Sequence, residues 1–196
     1  TAWPASVLTA AEGLPIKNIE VSASDQRVTG ELLITRYGLE GGAIYQLGHA
    51  LRGMDTPSVT IDFKPTFTVD ELVRKLGPVS GDLLAAAIHA WKLSPAAAAL
   101  LATADYPDAV ALARSTKRHG VFLTGPRPVA EAISTAGGLC WSALDHGLMI
   151  RAWPGCFVAG EMIDWEAPTG GYLLQGCFAT GRHAGHHAGQ WCQDHA

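Results

Sequence analysis

The spacing of apolar residues shifts from mainly strand-like to helical at Thr68, and this change limits the possible architectures more than any other feature. Before it, apolar and polar residues alternate as they do along strands. Ile19, Val21 and Ala23 alternate with Glu20 and Ser22, then Ser24, Asp25 and Gln26 supply turn chemistry, and Val28 to Ile34 follows as an antiparallel partner. In the segment 58–63, Val59, Ile61 and Phe63 fall on one face. Between these strands, 43–51 has helical spacing, with Ile44, Leu47 and Leu51 on one side. From Thr68 onward the spacing is helical. Thr68 with Glu71 forms a capping box, and Gly77 suits the end of that helix. Further helices are predicted over 81–91, from Ser94 with Pro95 at the first helical position, and over 107–117. The expected class is therefore mixed α+β: a β-rich part over 1–67, a helical part over 68–127, and a different segment over 128–196.

With 196 residues the chain has room for one compact domain or two small ones, and 48% hydrophobic against 16% charged residues is an ordinary globular balance. A net charge of -4 gives no electrostatic reason to expect nucleic acid or an anionic membrane as a partner. The longest apolar region, 83–104, is interrupted by His89, Lys92 and Pro95, so it reads as two buried helices and not as a membrane span. Cys140, Cys156, Cys177 and Cys192 form no C-x-x-C pair, and reduced thiols in a cytoplasmic protein are expected. The chain starts at Thr1 without methionine or a signal-like stretch, and a processed or truncated product is expected.

The last section carries the chemistry. Pro128 to Ile133 suits a short helix, and Ser134 to Leu139 resembles a strand approaching a glycine turn. Cys156-Phe157-Val158-Ala159 is an apolar run of the kind found in a fully covered parallel strand, and Gly160-Glu161 follows at once. After a loop holding Pro168, Thr169, Gly170 and Gly171, a helix is predicted from about Tyr172 to Ala188. Glycines let a backbone approach a flat or anionic ligand, and the first amides of a helix offer unpaired donors. Glu161 at a strand end is suited to accept hydrogen bonds from sugar-like hydroxyls. Glycine turns before helices are also common as plain structure, so on chemistry alone the structural reading is favoured.

The segment from Thr135 to Gly185 resembles the C-terminal signature of the HI0933-like (YhiN/BaiN-type) flavoproteins, NAD(P)/FAD-dependent oxidoreductases. The residues that carry the resemblance are Thr135-Ala136-Gly137-Gly138, Pro154 to Glu161, Ile163-Asp164, Thr169 to Gln175, Phe178 to Gly181, and Ala184-Gly185. A weaker likeness covers Gly30 to Thr35, Tyr37 to Leu39, Ile61 to Phe63, and Pro65. The resemblance implies a flavin domain split in sequence by a β-rich and helical insert. This chain would then hold most of the insert and the returning strand-loop-helix segment of a two-dinucleotide-type FAD domain. It further implies FAD as cofactor, NAD(P)H as co-substrate, and Gly160, Glu161, Thr169, Gly170, Gly171 and Tyr172 as cofactor-binding residues. Three positions depart from the family pattern: Arg36 stands for a histidine, Glu40-Gly41-Gly42 for Ser-Gly-Pro, and Leu173 for an asparagine. No catalytic residue is assigned.

An FAD site of this class also needs a G-x-G-x-x-G turn for the pyrophosphate, and the chain contains none. The partner expected from this is a separate dinucleotide-binding domain of the same protein, and the chain alone is expected to be inactive. Gly181, Gly185 and Gly189 recur every four residues, and part of that face is expected to pack on the absent domain. The alternative function is a non-catalytic ligand- or partner-binding domain. Among competing site readings, His183, His186 and His187 with Cys192 and His195 suit a solvated helix end better than a metal cluster. Asp164 and Glu166 read as loop residues, Trp141, Trp153 and Trp165 as core or interface anchors, and Lys117-Arg118 as a helix end.

Overall fold

The computed structural model describes residues 1–132, 134–167 and 171–196, so Ile133, Pro168, Thr169 and Gly170 lie outside the described residues. It divides into two compact units, Thr1–Gly125 and Pro126–Ala196. In the first unit α1 (Ala5–Ala11) precedes a hairpin of β1 (Pro15–Ala23) and β2 (Gln26–Thr35). The short strand β3 (Gly38–Glu40) follows, then α2 (Gly42–Gln46), α3 (Gly48–Arg52) and β4 (Ser58–Asp62). Four helices come next, α4 (Val69–Leu76), α5 (Leu83–Trp91), α6 (Pro95–Leu101) and α7 (Ala109–Lys117), before β5 (His119–Phe122) closes the unit.

The five strands form one antiparallel sheet in the order β3-β2-β1-β4-β5. Val21 pairs with Val28 and Ala23 with Gln26, which places the turn on Ser24 and Asp25. The alternation of side chains puts Ile19, Val21, Leu32, Ile34, Val59 and Ile61 into one core with Leu72, Trp91, Leu100, Leu101 and Leu112 of the helices. Burying each such aliphatic side chain contributes about 1.5–3 kcal/mol. The Trp91 indole is accommodated there because its N–H donates to the Leu72 carbonyl at 2.9 Å. The starts of α4, α5, α6 and α7 are set by Thr68, Asp82, Ser94 and Asp108, whose side chains accept from the third helical amide. The capping box at Thr68 is complete, and Gly77 ends that helix at φ 67°.

The structure corrects the reading of 43–51 as one helix. The segment breaks at Leu47, which joins α2 to α3, and it buries Ala43 and Leu47 where the spacing suggested Ile44, Leu47 and Leu51. Gly48 directly after Leu47 weakens a continuous helix at that point. At the other end of the unit, His119 does not extend a helix. It opens β5, where Val121 enters the core and the strand covers the outer edge of β4.

The second unit contains three short 3-10 turns, Val129–Glu131, Trp141–Ala143 and Gly160–Met162, and one long helix, α8 (Tyr172–Asp194). Its core consists of Leu144, Leu148, Ile150, Val158, Ile163 and Ala184. The two strands expected here do not form. Ser134 to Gly138 is exposed, and Leu139 makes only an isolated parallel bridge to Ile163. Cys156 to Ala159 is coil with one bridge, Phe157 to Met149, and Cys156 is exposed. The physical reason is the absence of flanking strands among the described residues. Only Val158 of this run is fully buried, and its amide is taken by the Leu148 carbonyl at 3.0 Å. No helix among the described residues is long and apolar enough to cross a membrane.

Candidate functional site

The site is built around the first turns of α8. Gly160 sits against this helix with φ 63°, and a Cβ there would lie 3.0 Å from the Cys177 sulfur. Its amide donates to the Thr180 hydroxyl at 2.9 Å, and its carbonyl accepts from the Trp165 indole at 3.0 Å. Thr180 in turn donates to the Gly176 carbonyl at 2.7 Å. Gly176 is itself required by the Trp165 ring, which occupies the space a Cβ would need. The turn Gly160–Met162 is thus fixed to the helix from several directions, and both backbone polar groups of Gly160 are already used.

This fixing determines where Glu161 stands. Its carboxylate is half-buried and accepts from the Thr135 amide and hydroxyl at 3.4 and 3.3 Å. Both bonds are long, so acceptor capacity remains on the carboxylate. Thr135 belongs to the Thr-Ala-Gly-Gly stretch, whose residues are exposed beside it. Helix α8 begins after Gly171, a left-handed residue at φ 89° that has no side chain to cap the first-turn amides. Tyr172, Leu174 and Phe178 on the first turns of α8 are exposed. Thr169 and Gly170, named from the sequence, lie outside the described residues. The structure therefore brings Gly160 and Glu161 to the N-terminal half of α8 and puts Gly171 and Tyr172 at its exposed start.

Other candidates fall elsewhere. Trp165 packs on Gly176, whereas Trp141 and Trp153 are exposed. Asp164 is exposed, and its amide donates to the Leu139 carbonyl. Lys117 is the last residue of α7, as expected, and its ammonium pairs with Asp62 at 2.6 Å and donates to the Lys64 carbonyl. His183 is exposed as expected, although α8 runs on to Asp194, so His183 and His187 lie within the helix and not at its end. The His183 ring nitrogen lies 2.6 Å from the His146 carbonyl oxygen, and the His187 ring sits 4.6 Å from His183 and 5.1 Å from His146. Desolvation, and then His183, His146 and His186, lower the His187 pKa, with only Asp145 opposing. Its packing was not legible because the partner loop lies some forty residues earlier in the chain. Among the described residues no set of His, Cys, Asp and Glu is arranged to hold a metal ion.

The class that the chain matches is a dinucleotide-binding, FAD-type family, at a coarse level one of flavoproteins or oxidoreductases. The family is the HI0933-like one: the HI0933-like protein Rossmann domain matches residues 7–187, and the chain belongs to it. The match spans both units.

Proposed function

We propose that this chain supplies one wall of an FAD site in an oxidoreductase that passes hydride or electrons between NAD(P)H and a further acceptor. One observation carries the reading: the turn Gly160–Met162, which holds Glu161, is hydrogen-bonded through Gly160 to Thr180 of α8, while Gly171, Tyr172 and Leu174 at the start of that helix are exposed. These groups fit part of FAD. First-turn amides at the positive end of a helix suit an electron-rich flavin edge, and a carboxylate with spare acceptor capacity suits ribityl hydroxyls. When bound, the flavin supplies the redox chemistry. Glu161 would orient the ribityl chain, and Thr169, Gly170, Gly171 and Tyr172 would line the ring edge. Gly160 contributes by placement, since its own polar groups are used internally.

The pyrophosphate is not served by this chain, which has no G-x-G-x-x-G turn. The proposal therefore assigns that task to a separate dinucleotide-binding domain of the same protein, with this chain inactive alone. The free state of all four cysteines supports a cytoplasmic setting. Nucleic acid and membranes are not partners under this reading. The test is the visible absorption of the protein expressed together with its dinucleotide-binding domain. It should purify yellow, Glu161→Ala should weaken FAD binding by about tenfold, equivalent to about 1.4 kcal/mol, and the chain alone should bind FAD weakly or not at all. A complete protein that is colourless and takes up no FAD on reconstitution overturns the reading.

A further inference from the structure

The first unit contains a cavity of about 300 Å³ whose charged lining is all of one sign. Lys17, Lys64 and Lys92 line it, and no Asp or Glu does; Ile16, Phe63 and Leu93 are among its apolar lining residues. The nearest described carboxylate among the partners of this cluster, Asp62, is already used. One of its oxygens pairs with Lys117 at 2.6 Å, and the other accepts the Lys64 amide at 2.9 Å. The Lys64 ammonium is half-buried and donates once, to the Lys92 carbonyl at 3.0 Å, which leaves two N–H donors. Burial, and then Lys75 and Lys92, push the Lys64 pKa down, as expected where positive charge gathers without a counter-charge.

The backbone around the cavity is unusual in the same place. Asn18 at φ 56° and Lys92 at φ 51° are two of the four non-glycine left-handed residues among those described, and both line this cavity. Asn18 and Lys17 occupy the irregularity in β1 between Ile16 and Ile19, which lifts them out of the ladder with β2. Lys92 ends α5 at a position where glycine would carry no strain. Lys92 holds this conformation in the cap that closes α5, where the Leu93 amide donates to the Ile88 carbonyl at 3.0 Å, and this cap places Lys92 in the cavity lining.

We propose that this cavity binds the phosphate group of a small organic phosphate. Ammonium groups act as compact point charges, and three of them around one cavity with no lining carboxylate suit a doubly charged phosphate group better than a singly charged carboxylate. The apolar residues of the lining take the organic part. The site is separate from the flavin reading and stands or falls without it.

The test is a titration of the isotopically labelled chain, following the amide signals of Lys64, Leu93 and Ser94. Phenyl phosphate is the probe, benzoate the carboxylate comparison, and sodium chloride the control at matched ionic strength. Saturable shifts with a Kd of about 1 mM or tighter are expected, with benzoate roughly tenfold weaker. Lys92→Gly removes one charge and the backbone strain together, so it should raise the melting temperature while weakening phenyl phosphate roughly fivefold or more. Lys64→Gln should weaken it as well. Shifts that follow ionic strength alone, equal binding of benzoate, or unchanged binding in a Lys92→Gly protein that melts higher would each overturn the proposal.

Discussion

Replacing Gly181, Gly185 and Gly189 of α8 together by alanine separates two explanations for a glycine-rich helix. In the structure of this chain, a Cβ at each of the three meets nothing within 4 Å. They fall on the same side of the helix as Leu174 and Phe178, which are 58% and 63% exposed. Each helix-interior glycine costs about 0.8–1 kcal/mol relative to alanine, so the triple variant should stabilise α8 of the chain alone by about 2–3 kcal/mol. Nothing within the second unit recovers that cost, which is the reason to expect a neighbour. If the backbone of a dinucleotide-binding domain approaches this face, three methyl groups there overpack the contact at a cost of about 1–3 kcal/mol. The assay is amide hydrogen exchange along α8 in the chain alone, paired with FAD occupancy in the protein that carries its dinucleotide-binding domain. Slower exchange in the first and lower occupancy in the second are expected. Gly176→Ala is the internal contrast, because the Trp165 ring must leave. It loses the indole bond to Gly160, about 1 kcal/mol, and gains about 1 kcal/mol of helix propensity, so packing damage of about 1–3 kcal/mol decides the sign. Triple-alanine protein that is more stable in both settings, with unchanged FAD occupancy, refutes close approach on this face.

Two further outcomes follow from charges fixed by the fold. The unfolded state binds a proton at His187 more readily than the folded one, because the folded pKa lies below its ordinary value. That contribution to stability is therefore complete above the unfolded value of about 6.5 and is lost as pH falls through it towards the lowered folded value. Melting of the second unit followed by hydrogen exchange should show this fall, and His187→Gln should flatten it; a pH-independent second unit would contradict the cluster. In the first unit, Lys117→Ala leaves Asp62 partly buried without its cation and should destabilise by about 2 kcal/mol in urea, whereas Asp62→Asn with Lys117→Met should cost much less. Equal losses in the single and double variants would show that the pair itself, and not the abandoned charge, is what matters.

Much of the first unit was legible in the sequence because its signals are local. A period of two with Ser24-Asp25 between the runs defines a hairpin, and a Thr68-to-Glu71 capping box fixes a helix start to the residue. Legibility ended where structure depends on distant partners. β5 exists because β4 has an edge to cover, and β3 because Arg36 and Tyr37 reverse the chain onto β2; neither run is long enough to announce itself. Helix α1 was missed because Ala5 to Ala11 buries only Val7 and Ala11, too few positions for a period. At the candidate site the sequence named Gly160, Glu161, Gly171 and Tyr172, and the structure adds a reason for the glycine at 160 that the sequence did not show. That glycine answers to Cys177 and Trp165, a close approach within the unit that spacing along the chain does not reveal.

The two failed strand expectations bear on the function more than the successful ones. A parallel strand of the Cys156-to-Ala159 type is stable only when neighbours take its hydrogen bonds on both sides. Here the one parallel pairing is the single bridge between Leu139 and Ile163. The same unit buries six apolar residues while leaving Val129, Trp141, Trp153, Met162, Tyr172, Leu174 and Phe178 exposed. Exposed large apolar side chains at this density, beside backbone whose composition suits strands, mark a surface that is covered in the working protein. A self-sufficient binding module would have matched its apolar residues to its own core. Under the proposed function, a flavin-domain segment shares its core with a second domain and has no such need, and the exposed faces of this unit are the places where that domain would supply neighbours.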